Sequence, residues 1–209
     1  MNSLFDNTSS KSLQQIQEEW KDCRRCYFWQ IRTQVVPFSG SAVPTLVVIG
    51  QAPGEEEDKN GVLFSGPTGR LVREYLENTS QISGDQTLFA NVLACWCQSS
   101  IRAQFVRNCH ELLDQILGAT RTRIVLALGQ VALRRLGKKE GLETARGIPF
   151  HYVDTATGRT TLVLPTYHPA ALFKEQAPEK KQQIEEALDQ DFKKLGRIYR
   201  LALLDERRE

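Results

Sequence analysis

Apolar residues fall along this chain in two rhythms. Residues 45–49 (TLVVI), 88–93 (LFANVL) and 124–128 (IVLAL) are nearly continuous apolar runs, which predict short strands covered on both faces, as in a parallel sheet. Elsewhere apolar side chains recur three and four residues apart: Leu13, Ile16 and Trp20; Leu71, Val72, Tyr75 and Leu76; Val106, Leu112, Leu113, Ile116 and Leu117; Val131, Leu133 and Leu136. That spacing predicts helices over 12–20 and 68–77, through 106–117, and after Gly129. Residues 150–153 and 161–164 read as two more strands around a Thr157-Gly158 turn, and 50–67 as a loop punctuated by Gly and Pro. Residues 178–205 predict a long charged helix that Gly196 can break. Strands alternating with helices predict an α/β fold, a three-layer α/β/α sandwich around a mostly parallel sheet. With no repeat or low-complexity linker, one domain is expected over 1–209, with a helical N-terminal segment (1–22) and a C-terminal helix (178–209).

Composition narrows the class. The 209 residues suffice for a single core. No apolar run approaches the roughly 20 residues that span a bilayer, and the first twelve residues lack the basic-then-apolar order of a secretory signal. A cytoplasmic monomer without a membrane partner is therefore expected. Net charge is +2, from 27 Lys and Arg against 25 Asp and Glu, so charge alone announces no nucleic-acid partner. Basic pairs do cluster, at Arg24/Arg25, Arg134/Arg135, Lys138/Lys139, Lys180/Lys181 and Lys193/Lys194. They serve either as solvated helix faces or as the local basic surface that a DNA-scanning protein needs.

In open α/β sheets ligands bind beyond the carboxyl ends of the strands, and the chemically distinctive segments fall there. Gly50-Gln51-Ala52-Pro53-Gly54 follows the first strand, Asn91 lies in the second, and His168 follows the last. No phosphate-cradling GxGxxG or GxxxxGK[ST] is present, and Glu55-Glu56-Glu57-Asp58 would repel a nucleotide's phosphates. His110 and His151 sit in helix and strand patterns, where structural roles are expected. Cys23 and Cys26 form a C-x-x-C pair, and Cys95, Cys97 and Cys109 follow the second strand. In a reducing compartment such grouping points to metal or redox chemistry.

The run GQAPGEEEDKNGVLFSGPTGRL, then Ala90-Asn91-Val92, Arg146-Gly147 and Thr166-Tyr167-His168-Pro169-Ala170-Ala171-Leu172, resembles in order and spacing the uracil-DNA glycosylase superfamily. Its nearest resemblance is to the iron–sulfur-containing family 4 type. The resemblance covers roughly residues 23–173, and it implies excision of uracil from uracil-containing DNA to leave an abasic site. A glycosylase extrudes its base into a pocket. The resemblance implies Phe64 as the stacking face and Asn91 as the reader of the uracil edge, where cytosine would leave polar groups unpaired. Gln51 and Ala52 form the adjoining turn, whose backbone N–H groups could face uracil O2. His168, at a strand end and followed by Pro169, is the candidate side-chain donor for charge developing on O2. Glu57, or alternatively Asp58, positions water or faces the cationic sugar. Leu172 matches a loop that wedges into duplex DNA. Gly54 stands where the best-known branch has a thymine-rejecting Tyr. No catalytic lysine is evident, so strand cleavage is not expected.

The same resemblance implies that Cys23, Cys26, Cys95 and Cys109 hold a 4Fe–4S cluster. Zinc is the chemical alternative for four thiolates, and Cys97 the alternative third ligand. A branch that captures the site covalently requires a basic insertion absent between Asn91 and Cys109. Two readings from other classes stay open: a catalytically silent relative acting as a DNA-binding or replication-accessory module, and a small zinc or redox protein.

Overall fold

The computed structural model describes residues 11–97, 101–154 and 158–206. Thr157 of the expected turn, Gln98-Ser99-Ser100 beside the cysteines, and the first ten residues lie outside the described residues. The chain opens with α1 (Leu13–Trp20), whose start is fixed by a capping box between Ser12 and Gln15. A 3-10 turn (Tyr27–Gln30) leads to β1 (Phe38–Gly40) and β2 (Leu46–Gly50). Then come α2 (Glu55–Asn60), α3 (Pro67–Glu74) running into a π-helical turn (Tyr75–Ser80), β3 (Thr87–Asn91) and α4 (Ala103–Thr120). The second half holds β4 (Ile124–Leu128), α5 (Gly129–Arg135), α6 (Leu142–Ala145), β5 (Phe150–Val153), β6 (Thr160–Thr166), α7 (Ala170–Lys174) and α8 (Pro178–Glu206).

Among the described residues six strands form one sheet in the order β1-β3-β2-β4-β6-β5. The four central strands are parallel, and the short edge strands β1 and β5 are antiparallel. Side chains alternate between faces, as strand geometry requires. Leu46, Val48, Phe89, Leu126 and Leu164 join a core roofed by Val72, Leu76, Leu188 and Phe192. Val47, Ile49, Leu88, Val125 and Val163 join a second core with Ile16, Trp20, Leu113 and Ile116. Two cores on one doubly covered sheet make the three-layer sandwich predicted from the apolar runs.

The chain leaves β2 for β3 on one side and crosses back to β4 on the other. That reversal opens a crevice at the carboxyl ends of β2 and β4. Three expectations are corrected. The 50–67 loop contains α2, because four acids in its first turn suit the positive end of a helix and Gly61, at φ +74°, closes it. α8 is unbroken at Gly196, where a Cβ would stand 2.5 Å from the Ser80 carbonyl oxygen; this glycine serves close packing. Arg135 is not a surface cation: it is buried and donates to Asp114 and the His110 carbonyl. No described helix is long and apolar enough to cross a membrane.

Candidate active site

A cavity of about 510 Å³ lies over the ends of β2, β3 and β6, lined among others by Ala52, Gly54, Glu57, Phe64, Asn91 and His168. Residues separated by more than a hundred positions are thus gathered in one place. Asn91 ends β3 and is 6% exposed. Its neighbour across the ladder is Gly50, where a Cβ would stand 2.4 Å from Asn91 Oδ1 and 2.9 Å from Phe64 Cζ. Glycine at 50 is therefore what lets the amide and the ring face the same space.

Phe64 takes a left-handed backbone, φ +58°, a conformation costly for an aromatic residue and common where function demands it. The surroundings hold it there. A Cβ on Gly69 would come within 2.3 Å of Phe64 Cα. Arg73 donates from Nε to the Phe64 carbonyl (3.0 Å) and from Nη2 to the Leu63 carbonyl (3.1 Å). The Phe64 ring rests on Phe89, centroids 5.0 Å apart.

His168 follows β6, its Cβ 3.3 Å from where a side chain on Gly129 would begin. Its Nδ1 accepts from the Ala170 N–H at 3.2 Å, which leaves the ring proton on Nε2. Desolvation, helped by the nearby Lys174 charge, lowers its pKa from 6.5 to about 4. At neutral pH the ring is an uncharged donor.

Glu57 is buried, and its Oε1 accepts from the Gly66 N–H at 3.0 Å. Its Oε2 would stand 2.4 Å from a Cβ at Gly54, so the carboxylate fills the room that a side chain at 54 would need. Asp58, the alternative acid, points away: its Oδ2 accepts from the Thr33 N–H at 2.7 Å. Ala52 lines the cavity, whereas Gln51 does not, and the Gln51 side chain is exposed. Leu172 does not project from its loop either. It is 9% exposed in the core beneath α7, and Phe173 beside it is 63% exposed.

The cysteines lie behind the cavity wall. Cys95 and Cys109 are buried with Phe28, Leu93 and Phe105, and Cys26, Cys97 and Ala52 pack against them. All five thiols are free. Burial pushes Cys95 up to about 12 and Cys109 to about 11. Cys95 also feels Cys109 and Cys26, and Cys109 feels Cys26 and Cys23, whereas Cys97 feels Cys26 alone among the cysteines. Arg32, unremarked in the sequence, donates from Nη1 to Cys95 Sγ at 3.0 Å and from Nη2 to the Cys23 carbonyl at 2.5 Å. Among the described residues no three His, Cys, Asp or Glu side chains stand close enough to hold a metal ion. The thiols form a neighbourhood rather than a closed shell.

Residues 37–191 match the family model of the uracil DNA glycosylase superfamily. The type-4 uracil-DNA glycosylase of Sulfurisphaera tokodaii is 30% identical over 90% of this chain and 84% of its own. That of Archaeoglobus fulgidus is 29% identical over 90% and 94%, and that of Thermotoga maritima 32% identical over 82% and 88%. With both its motifs and nearly its whole length matched, this chain belongs to the uracil-DNA glycosylase superfamily, on the side of the type-4 enzymes.

Proposed function

We propose that this protein is a monofunctional uracil-DNA glycosylase that hydrolyses the N-glycosidic bond of uracil in DNA and leaves an abasic site. The observation that carries this reading is the convergence of Phe64, Asn91 and His168 on one cavity. Phe64 supplies an aromatic face to the extruded base. The Asn91 amide pairs with the uracil edge, its oxygen accepting from N3–H and its N–H donating to O4. His168, neutral with its proton on Nε2, donates to O2 as negative charge develops there. A neutral donor suits this task, because an imidazolium would first have to be desolvated as a cation.

Glu57 Oε1 is committed to Gly66, so Oε2 is the oxygen that would orient water or face the cationic sugar. Entry of Leu172 into a duplex requires α7 to leave its packed position. Lys59, at the cavity rim, pairs with Glu55 at 2.6 Å, and that pairing raises its pKa and keeps it protonated. It is a poor nucleophile, in keeping with hydrolysis without strand cleavage. A silent DNA-binding module has no need of a strained Phe64 and a depressed histidine aimed at one cavity.

By its chemistry the donor set of Cys23, Cys26, Cys95 and Cys109 would hold a 4Fe–4S cluster once the thiols draw together: four free thiols from three segments, two of them in an apolar cage, with Arg32 offering compensating positive charge. Such a cluster would tie the N-terminal segment to β3 and α4 and so support the Ala52 wall. The protein would act in the cytoplasm as a monomer.

The test is excision from an oligonucleotide carrying one uracil, followed by alkali to cut abasic sites, with a thymine control. Wild type should cut only the uracil strand, and Asn91→Ala and His168→Ala should each lower the rate by about 100-fold or more. No cutting by cluster-loaded wild type on single- or double-stranded DNA would overturn the reading.

A further inference from the structure

Arg146-Gly147 is the one motif of the resemblance with no place in the cavity lining. Both residues instead close over Asp191, a carboxylate on α8 that is 2% exposed. Asp191 Oδ2 accepts from Thr166 Oγ1 at 2.7 Å and from Arg146 Nε at 3.2 Å, while Oδ1 accepts from Arg146 Nη2 at 3.1 Å. Arg146 Nη2 also donates to the Ala187 carbonyl on the same helix at 3.0 Å. Gly147 has φ +69°, and a Cβ there would stand 2.5 Å from Asp191 Oδ1. Only glycine lets this turn fold down on the carboxylate, and its N–H then donates to the Pro165 carbonyl in β6 at 2.8 Å.

These contacts meet where β6 ends. Thr166 is its last residue and stands two positions before His168. Tyr167, between them, carries the Arg146 guanidinium over its ring at 5.6 Å and donates its hydroxyl proton to Glu143. Burial raises the Asp191 carboxyl above its ordinary range, against the opposing pull of Thr166, Arg146 and Lys194. A buried carboxylate stripped of a partner is strongly destabilising, and the bidentate Arg146 fork fixes direction as well as charge.

We infer that Asp191 is a positioning residue for His168: through the Thr166 hydroxyl and the Arg146-Gly147 turn, the C-terminal helix sets where the donor stands over the cavity. This rests on the glycosylase reading above, with His168 as donor. A misplacement of about 1 Å costs a reaction on the order of 100-fold, and the Thr166–Asp191 hydrogen bond is made two residues from the donor.

The experiment is single-turnover excision by the full, cluster-loaded chain, with DNA affinity measured separately. Thr166→Val and Asp191→Asn should lower the excision rate about 10- to 100-fold, with affinity for uracil DNA held within about twofold. Thr166→Ser, which keeps the hydroxyl, should restore the rate; a purely structural role would not separate Ser from Val in rate per folded molecule. If Asp191→Asn does not fold, the Thr166 pair carries the test. Wild-type rates for Thr166→Val, or equal losses for Val and Ser, overturn the inference while leaving the enzyme intact. An inactive wild type overturns the glycosylase reading, and this inference falls with it.

Discussion

The candidate-site cavity and the cysteine cage share a wall at Ala52, yet they are held by opposite means. The cavity is built by backbone: Asn91 and Gly50 are ladder neighbours on parallel strands, Phe64 is pinned in a strained turn, and His168 leaves the end of β6. The cage is built by side chains from segments that share no sheet, held by Arg32, by an aromatic group in which Phe28 and Phe105 stand 4.6 Å apart, and by burial of the thiols. One site is preorganised by the fold. The other is a neighbourhood of thiols that the proposed metal group would close, and that closure would lend order to the cavity wall.

The largest expected break in this contrast comes from the cage. Cys95→Ser should abolish visible iron–sulfur absorption and cost roughly 3 kcal/mol, on the order of 10 °C in melting temperature. Cys97→Ser should leave both nearly unchanged, within about 0.5 kcal/mol. Bleaching by Cys97→Ser instead would make Cys97 the ligand and Cys95 the spare.

Next comes the cavity alone. Gly50→Ala places a methyl group where Asn91 Oδ1 and Phe64 Cζ would be 2.4 and 2.9 Å away. Excision should fall about 100-fold, with a stability cost of about 1–3 kcal/mol and unchanged cluster absorption. An active Gly50→Ala variant would mean that the amide and ring need not hold their present places.

The smallest effect is in pH. His168 ionises near 4 rather than 6.5 because its ring is desolvated. Excision should therefore stay level from pH 8 to about 5 and decline only near 4. The unfolded chain takes this proton first, so the ring's contribution to stability is full above pH 6.5 and is lost as pH falls through 4. A limb in kcat/KM at 6.5 would show an ordinary, solvated histidine and a less closed cavity than the geometry gives.

Some of this was legible in the chain because it rests on local pattern. Continuous apolar runs announced β2, β3 and β4, since strands covered on both faces cannot alternate, and the Gly50, Asn91 and His168 segments fell at strand ends where such sheets bind ligands. The edge strand β1 and the helix α2 were not legible: three residues carry no periodicity, and a run of acids reads as loop until a helix terminus is there to receive it.

By itself, the sequence determined the layered fold, the family, and which residues stand as candidates for the chemistry. Only the tertiary structure decided their duties. It spent Asp58 on the Thr33 backbone, turned Leu172 into the core, gave Arg32 to Cys95, and joined Asp191 to Thr166 across the sheet and α8. The physical reason is common to all four. Whether a polar or apolar group is free to act depends on which distant partner already satisfies it, and no local spacing records a contact made by residues far apart in the chain.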